Sequence, residues 1–369
     1  MKLPVGYFQF HKNSFFNYQL NRWYSLGYTV KEEIEQIGLK IETFSDYVKE
    51  FSLASQKAIQ ENRLKNAAFY LRASEFLIEP DNKDKLTVYE KFLELFDSAF
   101  KEENFQRHKV PYKNSFLSAI YLPAQTSSKK GTLIGCGGFD SFIEEFYCIW
   151  KYFAVCGYDV IAFEGPGQGG SLRKYNLPFE HDWEKPTSAV LDYFKIEKAT
   201  ALGISMGGYW ILRACAFEKR ITKIIAMPPV YDWLEMTHSF NKKLLQWMLP
   251  HKKLMNFFIR LKMNIGTLRH TIHQALFIQK KKDPMDAVDW MLGMNKEHLS
   301  SHLIDQDVLL LGGESDAFQP PILLKKQKEA LVNAKSVTER IFTKKENAAE
   351  HCQIGNIGLA LKTIADWLG

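Results

Sequence analysis

The pentapeptide Gly203-Ile-Ser205-Met-Gly207 carries the clearest chemical signal in the chain. A serine with glycine two residues to either side can sit on a sharp strand-to-helix turn, its hydroxyl clear of the backbone. The flanking sequence supplies both elements, apolar Ala199–Ile204 before it and a helical run from Tyr209 to Phe217 after it. The bland alternative is a Gly-Ser-Gly turn without chemistry, and the strand–turn–helix context argues against it. A serine hydroxyl stays protonated at neutral pH and needs a general base before it can attack a carbonyl. Ten histidines compete for that role. With this elbow the partners follow in the order Ser, acid, His. The run Val308-Leu-Leu-Leu-Gly-Gly-Glu-Ser-Asp316 places Asp316 just past a strand end, with Glu314 as the rival acid, and His351 is the only histidine after it. In this arrangement His351 takes the Ser205 proton during attack and returns it to the leaving group, while Asp316 holds the imidazole tautomer.

An oxyanion formed at such a serine needs two donors. One is the Met206 amide at the start of the following helix. The other belongs to the loop Gly135-Cys-Gly137-Gly138-Phe139-Asp140, whose glycines let backbone approach substrate closely. Either the Gly138 or the Phe139 amide fits. The same loop also reads as a tight turn with Asp140 as a helix N-cap, and both readings are compatible.

These residues need elements to position them. Residues 1 to about 110 repeat apolar positions at helical spacing, as in the segments starting at Asp46, Asn66 and Leu86. Short apolar strands then alternate with helices: Phe116–Leu122, Thr132–Gly135, Asp159–Phe163, Ala199–Ile204, Thr222–Met227, Val308–Leu311 and Val337–Phe342. That alternation predicts an α/β fold, a mostly parallel sheet with helices on both faces. Ser141 and Glu144 have the spacing of a capping box opening a helix through Phe142, Phe146, Ile149 and Phe153 that stops at Gly157. Pro320-Pro321 opens another helix. The expected organisation is a helical N-terminal cap over 1–110 and a core over 111–369 with a helical insertion at about 231–301. Both helical segments should close over Ser205, with Trp233, Trp247, Met248, Phe257 and Phe258 in the apolar walls. The run Leu244–Met263, with Lys252, Lys253, Arg260 and Lys262 interspersed, reads as a cap helix or as a membrane-surface helix.

Composition narrows the function classes. A 369-residue chain that is 46% hydrophobic and 24% charged can bury a sizeable core. Its charge of +6 is mild, and the densest basic run, Lys280-Lys281-Lys282, is short, so no nucleic-acid partner is expected. Five cysteines without a C-x-x-C pair point to no disulfide framework or structural zinc. No apolar leader or run of about 18 apolar residues occurs, which predicts a cytoplasmic protein without a membrane span. The run Gly165-Pro-Gly167-Gln-Gly-Gly170 fits a dinucleotide fingerprint, but the polar, proline-broken segment after it lacks the required helix, so no cofactor is expected. His270 and His273 share a helix face without an evident carboxylate partner, so no metal is expected.

Four segments together carry a family resemblance: Gly137-Gly-Phe-Asp-Ser141, Glu164-Gly-Pro-Gly-Gln-Gly169, Gly203-Ile-Ser-Met-Gly207 and Ala349-Glu-His-Cys-Gln353. With Phe15-Phe-Asn-Tyr-Gln-Leu-Asn-Arg-Trp23, they resemble the α/β-hydrolase group that contains 2,6-dihydroxypseudooxynicotine hydrolase and the fermentation–respiration switch protein. The resemblance implies an α/β-hydrolase core with a helical N-terminal cap. It implies cofactor-free hydrolysis of an ester, or of a carbon–carbon bond beside a ketone, in small aromatic or polyketide-like carbonyl compounds. It carries the triad over onto Ser205, Asp316 and His351, and leaves a homodimer open. Glu164 stands where such relatives are expected to carry Asp. An acyl transferase or peptidase with the same triad, and a non-catalytic regulatory binding protein, are the alternative readings.

Overall fold

The computed structural model describes residues 2–236, 243, 246–262 and 266–369. Its strands are β1 (Gln106–Tyr112), β2 (Ser115–Leu122), β3 (Gly131–Cys136), β4 (Tyr158–Glu164), β5 (Ala199–Ile204), β6 (Ile221–Met227), β7 (Asp307–Gly313) and β8 (Ser336–Phe342). They form one sheet in the order β1-β2-β4-β3-β5-β6-β7-β8. The β1–β2 and β2–β4 pairs are antiparallel and the others parallel. Leu133, Ile134, Ala201, Leu202, Leu309 and Leu310 are buried although they alternate between the two faces, as a sheet covered on both sides requires. β1 was invisible in the sequence. It is an edge strand of mostly polar residues, Gln106-Arg-His-Lys-Val-Pro-Tyr, with no apolar period to detect.

Five helices precede the sheet: α1 (Ser14–Ser25), α2 (Lys31–Gly38), α3 (Phe44–Gln60), α4 (Leu64–Leu77) and α5 (Asp84–Ala99). α1 starts where the Asn13 side chain accepts from the Phe15 and Phe16 amides, and α3 where Thr43 and Asp46 form a reciprocal capping box. Trp23 and Tyr47, both fully buried, join α1 to α3 through an indole-to-hydroxyl hydrogen bond of 2.6 Å.

Within the core lie α6 (Tyr147–Val155), α7 (Gly169–Arg173), α8 (Glu184–Tyr193) and α9 (Met206–Phe217). The helix expected to open at Ser141 begins only at Tyr147. Its proposed capping groups are engaged elsewhere: the Ser141 hydroxyl donates to the Gly138 carbonyl (3.2 Å), Glu144 pairs with Arg107 (2.5 Å), and the Ile143 amide goes to Glu164 (3.2 Å). Asp140 likewise caps no helix. The stop at Gly157 is as read, with φ +99°.

After β6 come α10 (Lys252–Lys262), α11 (Gly266–Gln279) and α12 (Pro284–Gly293), the last capped by Asp283 with Pro284 in its first turn. Leu244, Leu245 and Met263, the ends of the apolar run read in the sequence, lie outside the described residues. α13 (Pro321–Ala330) follows β7 and α14 (Ile357–Leu368) closes the chain. Among the described residues no helix is long and apolar enough to cross a membrane.

Candidate active site

The chain order reverses at β3, which pairs with β4 on one side and β5 on the other. The crevice above the carboxyl ends of such strands is where open α/β sheets bind ligands. Ser205 follows β5, the Gly137–Asp140 loop follows β3, Asp316 follows β7 and His351 follows β8. All four therefore meet at one edge.

Ser205 has φ 59° and ψ −126°, a conformation that costs free energy and stands at the N-terminus of α9. Its amide is fixed to the Met227 carbonyl at 2.7 Å. The turn closes so tightly that a Cβ on Gly203 would lie 2.1 Å from the Gly207 carbonyl oxygen, which explains the glycine there. Ser205 Oγ lies 2.8 Å from His351 Nε2, and His351 Nδ1 lies 2.8 Å from Asp316 Oδ2. The other Asp316 oxygen accepts from the Phe318 and Gln319 amides at 2.9 and 2.7 Å, which locks the carboxylate. Glu314 does not compete: it is exposed and accepts from the Lys344 amide instead. Burial disfavours the imidazolium, but the Asp316 charge outweighs it, with Cys352 adding in the same direction, and pushes His351 up to about 10.

Gly138 packs directly on the serine. A Cβ added there would lie 2.8 Å from Ser205 Cβ and 3.1 Å from the Met206 amide nitrogen. Gln168 holds this loop: its Nε2 donates to the Gly137 and Gly138 carbonyls at 2.9 and 2.8 Å, while its Oε1 accepts from the Gly165 amide at 2.9 Å. In a trans peptide the N–H points opposite to the C=O. Tying the Gly138 carbonyl to Gln168 therefore turns the Phe139 amide the other way. Neither the Phe139 nor the Met206 amide finds an acceptor among the described residues. The sequence reading missed Gln168 because it sits in the glycine run set aside as a dinucleotide decoy. That run leads into α7, a helix of only five residues. Glu164, in the same segment, supports the loop from beneath by accepting from the Ile143 and Gly170 amides. Burial, with the Glu144 charge, pushes it up to about 7.

Above the serine lies a cavity of about 330 Å³. Phe15, Tyr18, Gln19, Arg22 and Phe76 line it from the N-terminal helices, and Trp233, His270, Thr271, Trp290 and Met291 from the insertion. Phe139 stacks on Trp290 with centroids 4.9 Å apart, and Phe318 lies 5.2 Å from the His351 ring. Of the aromatic and Met side chains expected in the walls, only Trp233 is there. Trp247, Phe257 and Phe258 are exposed and Met248 does not line the cavity. α10 packs on α12 through its other side, with Met255 buried. His270, singled out in the sequence only as sharing a helix face with His273, belongs to the cavity, and burial lowers its pKa to about 4, so it is neutral. His273 lies beside Glu79, 3.5 Å away. Among the described residues no group of three or more His, Cys, Asp or Glu is placed to hold a metal.

Residues 133–301 match the model of the alpha/beta hydrolase fold family. The chain is 34% identical over 193 residues to a hydrolase, LUC6, of a Fusarium species, covering 47% of this chain and 46% of that one. It is equally similar, with the same coverage, to the 20-hydroxy-prefusarin hydrolase FUS2 of Gibberella moniliformis. The chain thus spans about half the length of these curated relatives. The crystal structure of 2,6-dihydroxy-pseudo-oxynicotine hydrolase superimposes with a TM-score of 0.64 at 18% identity, over 94% of both chains, a likeness of fold. Elbow, sheet order, family match and superposition agree: the chain has the α/β-hydrolase fold.

Proposed function

We propose that the protein hydrolyses an ester, or a carbon–carbon bond beside a ketone, in a small and largely apolar substrate through an acyl-enzyme on Ser205. The observation that carries this reading is the continuous relay from Ser205 through His351 to Asp316 at the foot of a cavity walled largely by apolar and aromatic side chains. Ser205 Oγ attacks the carbonyl carbon as His351 Nε2 takes its proton. The Met206 and Phe139 amides receive the oxyanion. His351 then protonates the departing alkoxide, or the carbanion that a neighbouring ketone stabilises, and water releases the acyl group by the same steps in reverse order of partners.

The walls favour a compact organic molecule over a peptide chain. Four lining side chains also bury polar atoms with no hydrogen-bond partner among the described residues: Trp233 Nε1, Trp290 Nε1, His270 Nε2 and Gln319 Oε1. These atoms are sealed from the cavity, so the surface that a substrate meets there is largely apolar and aromatic. The names of the fungal relatives, one of them a hydrolase of 20-hydroxy-prefusarin, likewise favour a compact organic molecule. The test is labelling with a fluorophosphonate, followed by a panel of p-nitrophenyl esters and 1,3-diketones. Labelling confined to Ser205 and lost in Ser205→Ala is expected; an unlabelled, folded protein would refute the reading and favour a binding protein.

A further inference from the structure

α10 turns its apolar side outward. Leu254, Phe257, Phe258 and Leu261 recur at the spacing of one helical stripe, and with Trp247 on the preceding turn they are 38% to 58% exposed. Trp247 and Leu254 border the same surface depression, so the patch is continuous. Among the described side chains of this helix, Met255 is the one deeply buried, against α12. A soluble protein does not ordinarily leave two Phe, two Leu and a Trp side by side in water.

The charges around the stripe indicate what covers it. Lys253 and Arg260 are exposed on the same helix, and neither has an acidic partner among the described residues. Two of the nearby carboxylates are committed: Asp289 pairs with Lys252 at 3.8 Å and Asp283 caps α12. A second copy meeting this face across a two-fold axis would set Lys253 and Arg260 against their own copies. The five apolar side chains expose on the order of 500 Å², short of the roughly 800 Å² that each partner of a stable dimer buries. An anionic lipid surface matches both features: apolar and aromatic side chains enter the acyl boundary while lysines and arginines reach the headgroups.

We propose that α10 docks the protein onto anionic lipid bilayers, with Leu254, Phe257, Phe258, Leu261 and Trp247 inserted and Lys253 and Arg260 on the headgroups. The face lies behind α12, which lends Trp290 and Met291 to the cavity wall, so docking leaves the Ser205 machinery untouched. The test is co-sedimentation of the full chain with vesicles of pure phosphatidylcholine and of phosphatidylcholine with 30% phosphatidylglycerol. Binding to the anionic vesicles is expected at least tenfold tighter and weakened by 0.5 M NaCl, since each basic side chain near such a surface adds about fivefold. Phe257→Ser/Phe258→Ser should abolish binding, and Lys253→Glu/Arg260→Glu should erase the preference for the anionic vesicles; both should keep the parent's melting temperature and fluorophosphonate labelling. Absence of binding to either vesicle overturns the proposal. So does a concentration-dependent dimer that Phe257→Ser/Phe258→Ser dissociates, since a second copy then covers the stripe.

Discussion

Replacing Gln168 by Leu keeps an apolar stem, one heavy atom shorter, while deleting every hydrogen bond through which this side chain holds the loop beside Ser205. Two hydrogen bonds to the Gly137 and Gly138 carbonyls and one from the Gly165 amide are lost together. Gly138 keeps the Ser141 hydroxyl at 3.2 Å, so its peptide is loosened rather than released. The Gly137 carbonyl and Gly165 amide are left unpaired, at about 1–3 kcal/mol each, so a stability loss of roughly 2–6 kcal/mol is expected. Outright loss of an oxyanion donor costs about 10²–10³ in rate. With the Phe139 amide only loosened, the fluorophosphonate labelling rate of Ser205 should fall about 10- to 100-fold. Adding Ser141→Ala should extend the loss to the full range. The assay pairs that rate constant with thermal melting, so a folding defect is separated from a misplaced amide. A folded Gln168→Leu protein labelled within about threefold of the parent rate would refute the positioning argument.

The other expectations concern the relay itself. Ser205→Ala should lower kcat by about 10⁴–10⁶ on any substrate the protein turns over while leaving the melting temperature unchanged; substantial residual turnover would move the nucleophile elsewhere. Asp316→Asn should cost about 10⁴ in kcat, whereas Glu314→Gln should be neutral, because only Asp316 reaches His351. A general base works when neutral, and the Asp316 charge raises His351 to about 10, so kcat/KM should climb with pH along a limb displaced above the ordinary imidazole pKa of about 6.5. In Asp316→Asn the residual activity should show that limb moved to lower pH; a parent limb at or below 6.5 would contradict the electrostatic reading.

The positions of Ser205, Asp316 and His351 were legible because strand–helix alternation dictates which loops share the carboxyl edge of a parallel sheet. Three residues far apart in the chain then meet whatever the intervening helices do. The cap walls were not legible to the same degree. Spacing along α10 tells which side chains share a face, but not whether that face looks into the cavity or out to solvent. Leu254, Phe257, Phe258 and Leu261 look out, and Trp290 and Met291 on the next helix but one supply the wall. The Ser141–Glu144 pattern failed for a related reason. A capping box is a local preference of about a kilocalorie, and the buried Glu164 carboxylate and the Arg107 guanidinium offer those groups stronger partners from distant parts of the chain.

The oxyanion loop is held from two directions, and the second involves the N-terminal helices. Arg72 on α4, fully buried, donates to the Asp140 carbonyl at 2.5 Å and pairs with Glu145 and Glu75 at 3.0 and 2.6 Å. Glu145 also takes Arg22 of α1 at 2.5 Å, and Glu75 takes Arg173 and Lys85 at 2.8 and 3.3 Å. Burial alone would raise the Glu75 pKa, but Lys85, Arg173 and Arg72 hold it down to about 2. A network of this kind adds little net stability against an apolar replacement, yet removing one member leaves uncompensated buried charge, at about 3–5 kcal/mol. Its value is geometric. The Gly138 carbonyl, fixed by Gln168, and the Asp140 carbonyl, fixed by Arg72, bracket the Phe139 peptide on both sides. The amide we assign to the oxyanion is thus oriented jointly by the core and by the N-terminal helices. Those helices therefore do more than roof the cavity, because their docking sets the geometry in which the serine would work.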